Sequence, residues 1–334
     1  MQKIVPFIFG IIFLSVVQDT CAQTPYSSQN FNLNNFFNPA TSGFGINNKV
    51  QTIFRTQYEG VGAAYRTIGI AADVALVGKN NYDKNNLFGM GVQAVSEQVL
   101  DGILQTNAIT VSLANRLFLN DKKTSSLALG ISSTLITRTI DASKLTFGDQ
   151  FNSGRLFNAT SLEVINATPS KFSSNVGLLY TLSNEATFFQ LGGSLFYINR
   201  SSTQQALEKF EQSYQTLAQI NFEKRIWEYN TIAFHADYQN RFENEFIYTG
   251  AVLGIPLSTK EEKEDRFYIG CFYRTKDAII PYLGVMYKQY KFGLSYDVYQ
   301  SKMSLSSLRP QTIELTISTN ISHRVTDKLV GLFN

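Results

Sequence analysis

The side chains that could carry chemistry in this sequence are few: two histidines, His235 and His323, two cysteines, Cys21 and Cys271, and scattered carboxylates. His235 stands two residues before Asp237 in Thr231-Ile-Ala-Phe-His-Ala-Asp-Tyr238. On a strand, residues i and i+2 share a face, where a carboxylate can orient an imidazole as a general base. That chemistry also needs a nucleophile, and no G-x-S-x-G elbow supplies one. The simpler reading is a solvated polar pair on the watery face of a strand. There is no P-loop, G-x-G-x-x-G, H-E-x-x-H, C-x-x-C or EF-hand loop, so neither a metal site nor any other cofactor is expected. Cys271 sits in the strand-like run Phe267-Tyr-Ile-Gly-Cys-Phe-Tyr273 and reads as a small lipid-facing residue rather than a nucleophile. Asn158 and Asn166 begin glycan sequons, which matter only in a host with the machinery. The expectation is a protein that is not an enzyme.

What would position such residues is a set of two-faced strands. Charged residues make up 16% of the 334 positions, against about 25% in an average globular chain. Phe and Tyr number 26 and 17, and the net charge is only +3. That charge is too mild and too scattered for a nucleic-acid partner. Hydrophobicity alternates with period two over segments of roughly ten residues, the pattern of outer-membrane strands. Phe88, Met90, Val92 and Ala94 oppose Gly89, Gly91, Gln93 and Glu97; Ile232, Phe234, Ala236 and Tyr238 oppose His235, Asp237 and Gln239. So many two-faced strands carry too much apolar face for one soluble interior. The predicted fold is therefore all-β, a transmembrane antiparallel β-barrel of about 14 strands lying in outer-membrane lipid. The strands fall at 49–58, 65–77, 86–98, 104–119, 125–138, 173–183, 187–199, 216–225, 229–239, 245–255, 266–274, 278–288, 290–299 and 311–322.

Ahead of the barrel, Lys3 and an apolar stretch over residues 4–17 form an export signal, too short to span roughly 30 Å. Thr20 and Ala22 suit cleavage after residue 22. The chain then divides into a signal peptide (1–22), an N-terminal periplasmic segment or plug (23–48), the barrel (49–322) and a C-terminal tail (323–334), in which Phe333 could end a late strand. An even strand number puts both ends on the periplasmic side. The longest loops, 139–172 and 200–215, then face outward, and the charged turns 78–86 and 258–265 face the periplasm. Aromatics near strand ends (Phe196-Tyr197, Phe246, Tyr248, Phe272-Tyr273, Tyr282, Tyr287) are expected to form interfacial girdles.

Several short motifs follow one another in order: Gln29-Asn-Phe-Asn32, Phe37-Asn-Pro-Ala-Thr-Ser-Gly43, Arg55-Thr-Gln-Tyr-Glu-Gly60, Tyr65-Arg-Thr67, Phe88-Gly-Met-Gly91, Glu97, Asp101-Gly102 and Arg309-Pro-Gln-Thr-Ile-Glu314. Their order and spacing over residues 25–322 resemble the PorP/SprF family of Bacteroidota outer-membrane proteins, associated with type IX secretion and gliding motility. Tyr58 replaces a usual Trp, and Thr41 stands where an aromatic is common. The resemblance implies a non-enzymatic component that assists export or surface attachment of large adhesins or other cargo. Its partners would be that cargo and other type IX components, met through the long loops and the charged turns. A porin or substrate-specific transporter is the alternative, and a lipase-type enzyme a more distant one. Structural or partner-contact candidates are Asn38, Pro39, Arg55, Gln57, Tyr58, Asp73, Glu97, Arg309, Pro310 and Glu314. With Val50, Thr52, Phe54 and Tyr58 outward, Arg55 and Gln57 face the lumen. An arginine there needs a carboxylate such as Asp73, Glu97 or Glu314. Asn38-Pro39 fixes an extended turn, inside the barrel or at its periplasmic mouth.

Overall fold

The computed structural model describes residues 27–44, 48–59, 64–76, 86–151, 161–163, 170–199, 202–205, 208–211, 214–227, 229–241, 244–257, 265–300, 310–321 and 332–333. The signal region 1–22, the sequons and the turn 78–85 lie outside them, as do Arg309 and most of the tail.

Long strands pair in sequence order: β1 (Lys49–Glu59), β2 (Tyr65–Leu76), β3 (Asn86–Val99), β4 (Leu104–Phe118), β5 (Ser125–Ile140), β6 (Lys171–Ser183) and β7 (Thr187–Phe196). After an excursion come β10 (Gln215–Ile226), β11 (Asn230–Arg241), β12 (Asn244–Pro256), β13 (Arg266–Arg274), β14 (Ala278–Tyr287), β15 (Tyr290–Tyr296) and its short continuation β16 (Val298–Tyr299), then β17 (Gln311–Asn320). All pairings are antiparallel, and β1 pairs with β17. With β15 and β16 counted as one strand interrupted at Asp297, the sheet is a closed barrel of 14 strands. Closure leaves no unpaired edge, the condition for a sheet to lie in hydrocarbon.

Alternation decides which face each side chain takes. Ile68, Phe88, Ile109, Leu129, Leu178, Leu191, Ile232, Ile269 and Ile313 point outward and are 41% to 59% exposed. Their opposites on the same strands are buried and mostly polar: Thr67, Thr110, Asn175, Gln190, His235 and Glu314. An apolar exterior around a polar interior inverts a soluble protein, and lipid is the solvent that makes it stable. Cys271 is exposed on the outer face.

The structure corrects three expectations about the strands. Within 200–215 it places a hairpin, β8 (Ser202–Gln205) with β9 (Glu208–Glu211), where only a loop was expected. Those strands are nearly all polar, so a hydrophobic alternation had nothing to register. Tyr58 does not simply face outward. The β1–β17 register shifts between Thr56 and Glu59, Tyr58 has φ +58°, and its ring turns to lie 5.5 Å from Tyr299 and 5.8 Å from Tyr65. Tyr248, Phe272 and Tyr282 are not in a girdle; they are at most 1% exposed and form the inner core. Tyr273 and Tyr287 do face outward.

Candidate functional site

The interior holds residues 27–44, which cross from one wall of the barrel to the other. This segment is short of charge and rich in Asn and Ser, with aromatics spaced between them. It folds as short turns: 3-10 turns at Asn30–Asn32 and Pro39–Thr41, and one helical turn at Asn34–Phe37. Asn38 starts the last of them, its Oδ1 accepting the Ala40 N–H at 2.9 Å, while Pro39 takes the first position, where a missing N–H does no harm. These turns close backbone hydrogen bonds within the segment, such as Asn38 N–H to the Asn34 carbonyl at 3.0 Å, and the polar groups left over are met by the wall around it.

Its first anchor is an ionic cluster. Register sets Arg55 on β1 directly opposite Glu314 on β17. Arg55 Nη1 lies 2.9 Å from Glu314 Oε2, and its Nη2 lies 3.3 Å from Asp297 Oδ2. Arg274 reaches the same Asp297 oxygen at 2.8 Å and Asp277 at 2.5 Å. Two guanidiniums and two carboxylates thus lie almost wholly out of solvent, with Asp277 at the edge. The plug completes them. Glu314 accepts the Ser28 N–H and the Ser27 hydroxyl, each at 2.7 Å. The Ser28 hydroxyl donates to Asp297 at 2.5 Å, and Arg55 donates to the Ser28 oxygen. A carboxylate removed from water is tolerable only when its lone pairs are met, and here the N-terminal segment meets them.

Next comes an aromatic socket. Phe31 stacks on Phe272 at 4.5 Å and meets Tyr282 edge-on at 5.0 Å; Tyr248 stacks behind Phe272 at 5.1 Å. Asn30 donates to Asp237 at 3.1 Å and Asn32 to Tyr282 at 3.2 Å. Across the barrel, Asn38 donates to the Leu178 carbonyl at 3.2 Å, and Ser194 donates to the Phe37 carbonyl at 2.7 Å. There the wall is made of glycine. A Cβ at Gly130 would overlap the Pro39–Ala40 backbone, and one at Gly177 would overlap the Asn38 carboxamide. Finally Gly43, at φ +64°, donates to Asp73 at 3.0 Å, and Arg116 lies 4.0 Å over the Phe44 ring.

The sequence candidates therefore fall into separate groups. Asn38 and Pro39 are buried in the lumen, while Arg55 and Glu314 pair. Asp73 and Glu97 are not the partners of Arg55: Asp73 holds Asn35 and Gly43, and Glu97 accepts from Thr67 at 3.5 Å. Strand position separates them, since Arg55 faces Glu314 on one side and Thr67 on the other. Gln57 and Pro310 are buried; Arg309 is outside the described residues. Sequence reading missed Asp297 and Arg274. The parity Ser295, Asp297, Tyr299, all buried, was the available signal.

His235 and Asp237 are not solvated; both are at most 3% exposed. The imidazole Nε2 lies 2.9 Å from Asp237 and Nδ1 lies 2.5 Å from Asn221 Oδ1, so both ring nitrogens face acceptors. Among the described residues no group of three or more His, Cys, Asp or Glu could hold a metal ion. In the loop between β5 and β6, Asp149 gathers the Leu162 N–H at 2.6 Å and the Ser161 hydroxyl. Those bonds hold its carboxyl below the usual range. The same loop leaves Leu162 88% and Phe151 61% exposed.

A closed membrane barrel whose lumen is filled by its own N-terminal segment is the class these features define. The family model for the type IX secretion system membrane protein PorP/SprF matches residues 20–319, and the chain belongs to that family. Fold and family together point to the outer membrane. Similar solved structures include the toluene transporter TbuX of Ralstonia pickettii, at 12% identity over 85% of this chain and 92% of that one, TM-score 0.49. A FadL homologue of Pseudomonas aeruginosa has 9% identity over 85% and 93%, TM-score 0.46. The P. putida toluene transporter TodX has 10% identity over 86% and 93%, TM-score 0.46. No curated protein matches the sequence.

Proposed function

We propose that this barrel is a non-enzymatic outer-membrane component of the type IX secretion system that assists export or surface attachment of large adhesins or other cargo through protein–protein contacts. The observation that carries the reading is the filled lumen. Residues 27–44 complete the buried Arg55–Glu314–Asp297 cluster and bear on a glycine wall, so the barrel acts as a closed body whose contacts lie at its two ends. The exposed Leu162 and Phe151, on a loop tied by Asp149, suit a cargo-facing surface. The charged turns 78–86 and 258–265 suit partners on the periplasmic side, reached by Sec export under the residue 1–22 signal. His235 spends both nitrogens on an amide and a carboxylate, which supports a role without catalysis.

The test is affinity purification from detergent-solubilised outer membranes, with the eluted proteins identified by mass spectrometry. Recovery of a large secreted surface protein or of other secretion subunits, lost when 141–170 is shortened, is the expected result. A barrel that purifies alone and conducts ions in a planar bilayer would overturn the proposal in favour of a porin.

A further inference from the structure

The described end of the tail, Leu332 and Phe333, lies inside the barrel, 2% and 3% exposed. It forms no late strand. The Leu332 N–H donates to Glu223 Oε2 at 2.9 Å, and Lys291 donates its ammonium to the Leu332 carbonyl. Phe333 stacks on Phe188 with centroids 6.1 Å apart and planes 21° apart, and lies 6.4 Å from His235. Lys291 also lies 5.9 Å over the Tyr268 ring. Phe188 and Lys291 are second in their strands, and Glu223 is near the end of β10. All sit toward the mouth at which β7 and β15 begin and β10 ends.

We infer that this mouth is a peptide-binding seat, filled in cis by the chain's own Leu-Phe, and that an extended partner segment with an apolar residue followed by an aromatic takes it when the tail leaves. The chemistry of the seat is that of peptide recognition. A carboxylate reads one backbone N–H, an ammonium reads the carbonyl of the same residue, and an aromatic slot takes the next side chain. Glu223 is fully buried and Lys291 half-buried, so an empty seat leaves the carboxylate above all short of the partners that make burial tolerable. Exchange of one chain end for another restores those partners, whereas a small hydrophobic molecule does not. Occupancy also bears on the plug. His235 lies between Phe333 and Phe31, and Phe188 lies between Phe333 and Phe44, each at 6.1 to 6.4 Å. The proposal requires only the lumen geometry and stands apart from the secretion role.

A labelled peptide with the sequence of residues 322–334 is titrated against the full-length barrel and against one lacking those residues, both in nanodiscs. Resistance to dissociation in unheated gels checks that each is folded. The truncated barrel is expected to bind saturably. The full-length barrel should bind at least about tenfold more weakly, because a tethered tail competes at high effective concentration. A peptide carrying Phe333→Ala should bind on the order of a hundredfold more weakly, the effect of losing a buried ring. If truncation prevents folding, a full-length Phe333→Ala barrel decides the matter, and it should gain binding of the unaltered peptide. A folded truncated barrel that does not bind, binding indifferent to Phe333, or a full-length Phe333→Ala barrel that gains none would overturn the inference.

Discussion

Arg55 joins the first and last strands of the barrel to the plug inside it. Its guanidinium forks to Glu314 on β17 and to Asp297 beside β15, and it also donates to Ser28. A lysine carries the same charge on one point and cannot span that arrangement. Removing one member of a buried ionic cluster is worse than removing all of it, because the survivors keep their desolvation penalty and lose their compensation. Arg55→Met is therefore expected to destabilise the barrel by about 3 to 5 kcal/mol. The double variant Arg55→Met with Glu314→Met should be less damaging than the sum of its parts, by roughly 1 to 3 kcal/mol. Arg55→Lys should fall between wild type and Arg55→Met. Urea unfolding in lipid vesicles, followed by gel migration of unheated samples, measures these variants together with the Glu314→Met single that the comparison needs. Strict additivity would mean that the two side chains are not coupled.

Among the elements, the plug fits because the wall is missing side chains where the two meet. Gly130 on β5 and Gly177 on β6 point inward, and a Cβ at either would occupy the place of Asn38, Pro39 or Ala40. Gly130→Val or Gly177→Val should expel the segment while sparing the strands, whose outer faces and backbone ladder are untouched. With Ser42→Cys introduced and Cys271→Ser removing the exposed thiol, maleimide should label the glycine variants readily and the parent barrel slowly. Equal slow labelling would show that the segment tolerates a filled wall. The strands themselves were legible in the sequence, because lipid outside and polar contacts inside enforce period two, as on β3 and β11. The socket was less so. Tyr248, Phe272 and Tyr282 face inward on strands that are apolar on both faces, so alternation could not tell lumen from lipid. Inward glycines were visible as a pattern, yet their meaning depended on a plug that no periodicity announces. Asp297 lay within a predicted strand, but pairing it with Arg55 needs the ring closed through β17, which only the three-dimensional register supplies.

For the molecule as a whole, the apolar exterior belongs to any outer-membrane barrel, and the interior distinguishes this one. The N-terminal segment crosses the lumen from the β15–β17 wall to the β5–β7 wall, and Leu332-Phe333 sits toward the mouth at which β7 and β15 begin. A porin would leave that space to water; here ion pairs, aromatic stacking and backbone contact fill it. The resemblance read from ordered motifs reached the family, yet it left open whether residues 23–48 lay within the barrel or at its mouth. Their contacts inside place 27–44 in the lumen. Planar-bilayer recording of the purified full-length barrel, beside a variant lacking residues 27–44, tests this most directly. The intact protein should give no sustained current, and the deletion variant should give discrete open levels; a steady, ohmic current through the intact barrel would contradict the account.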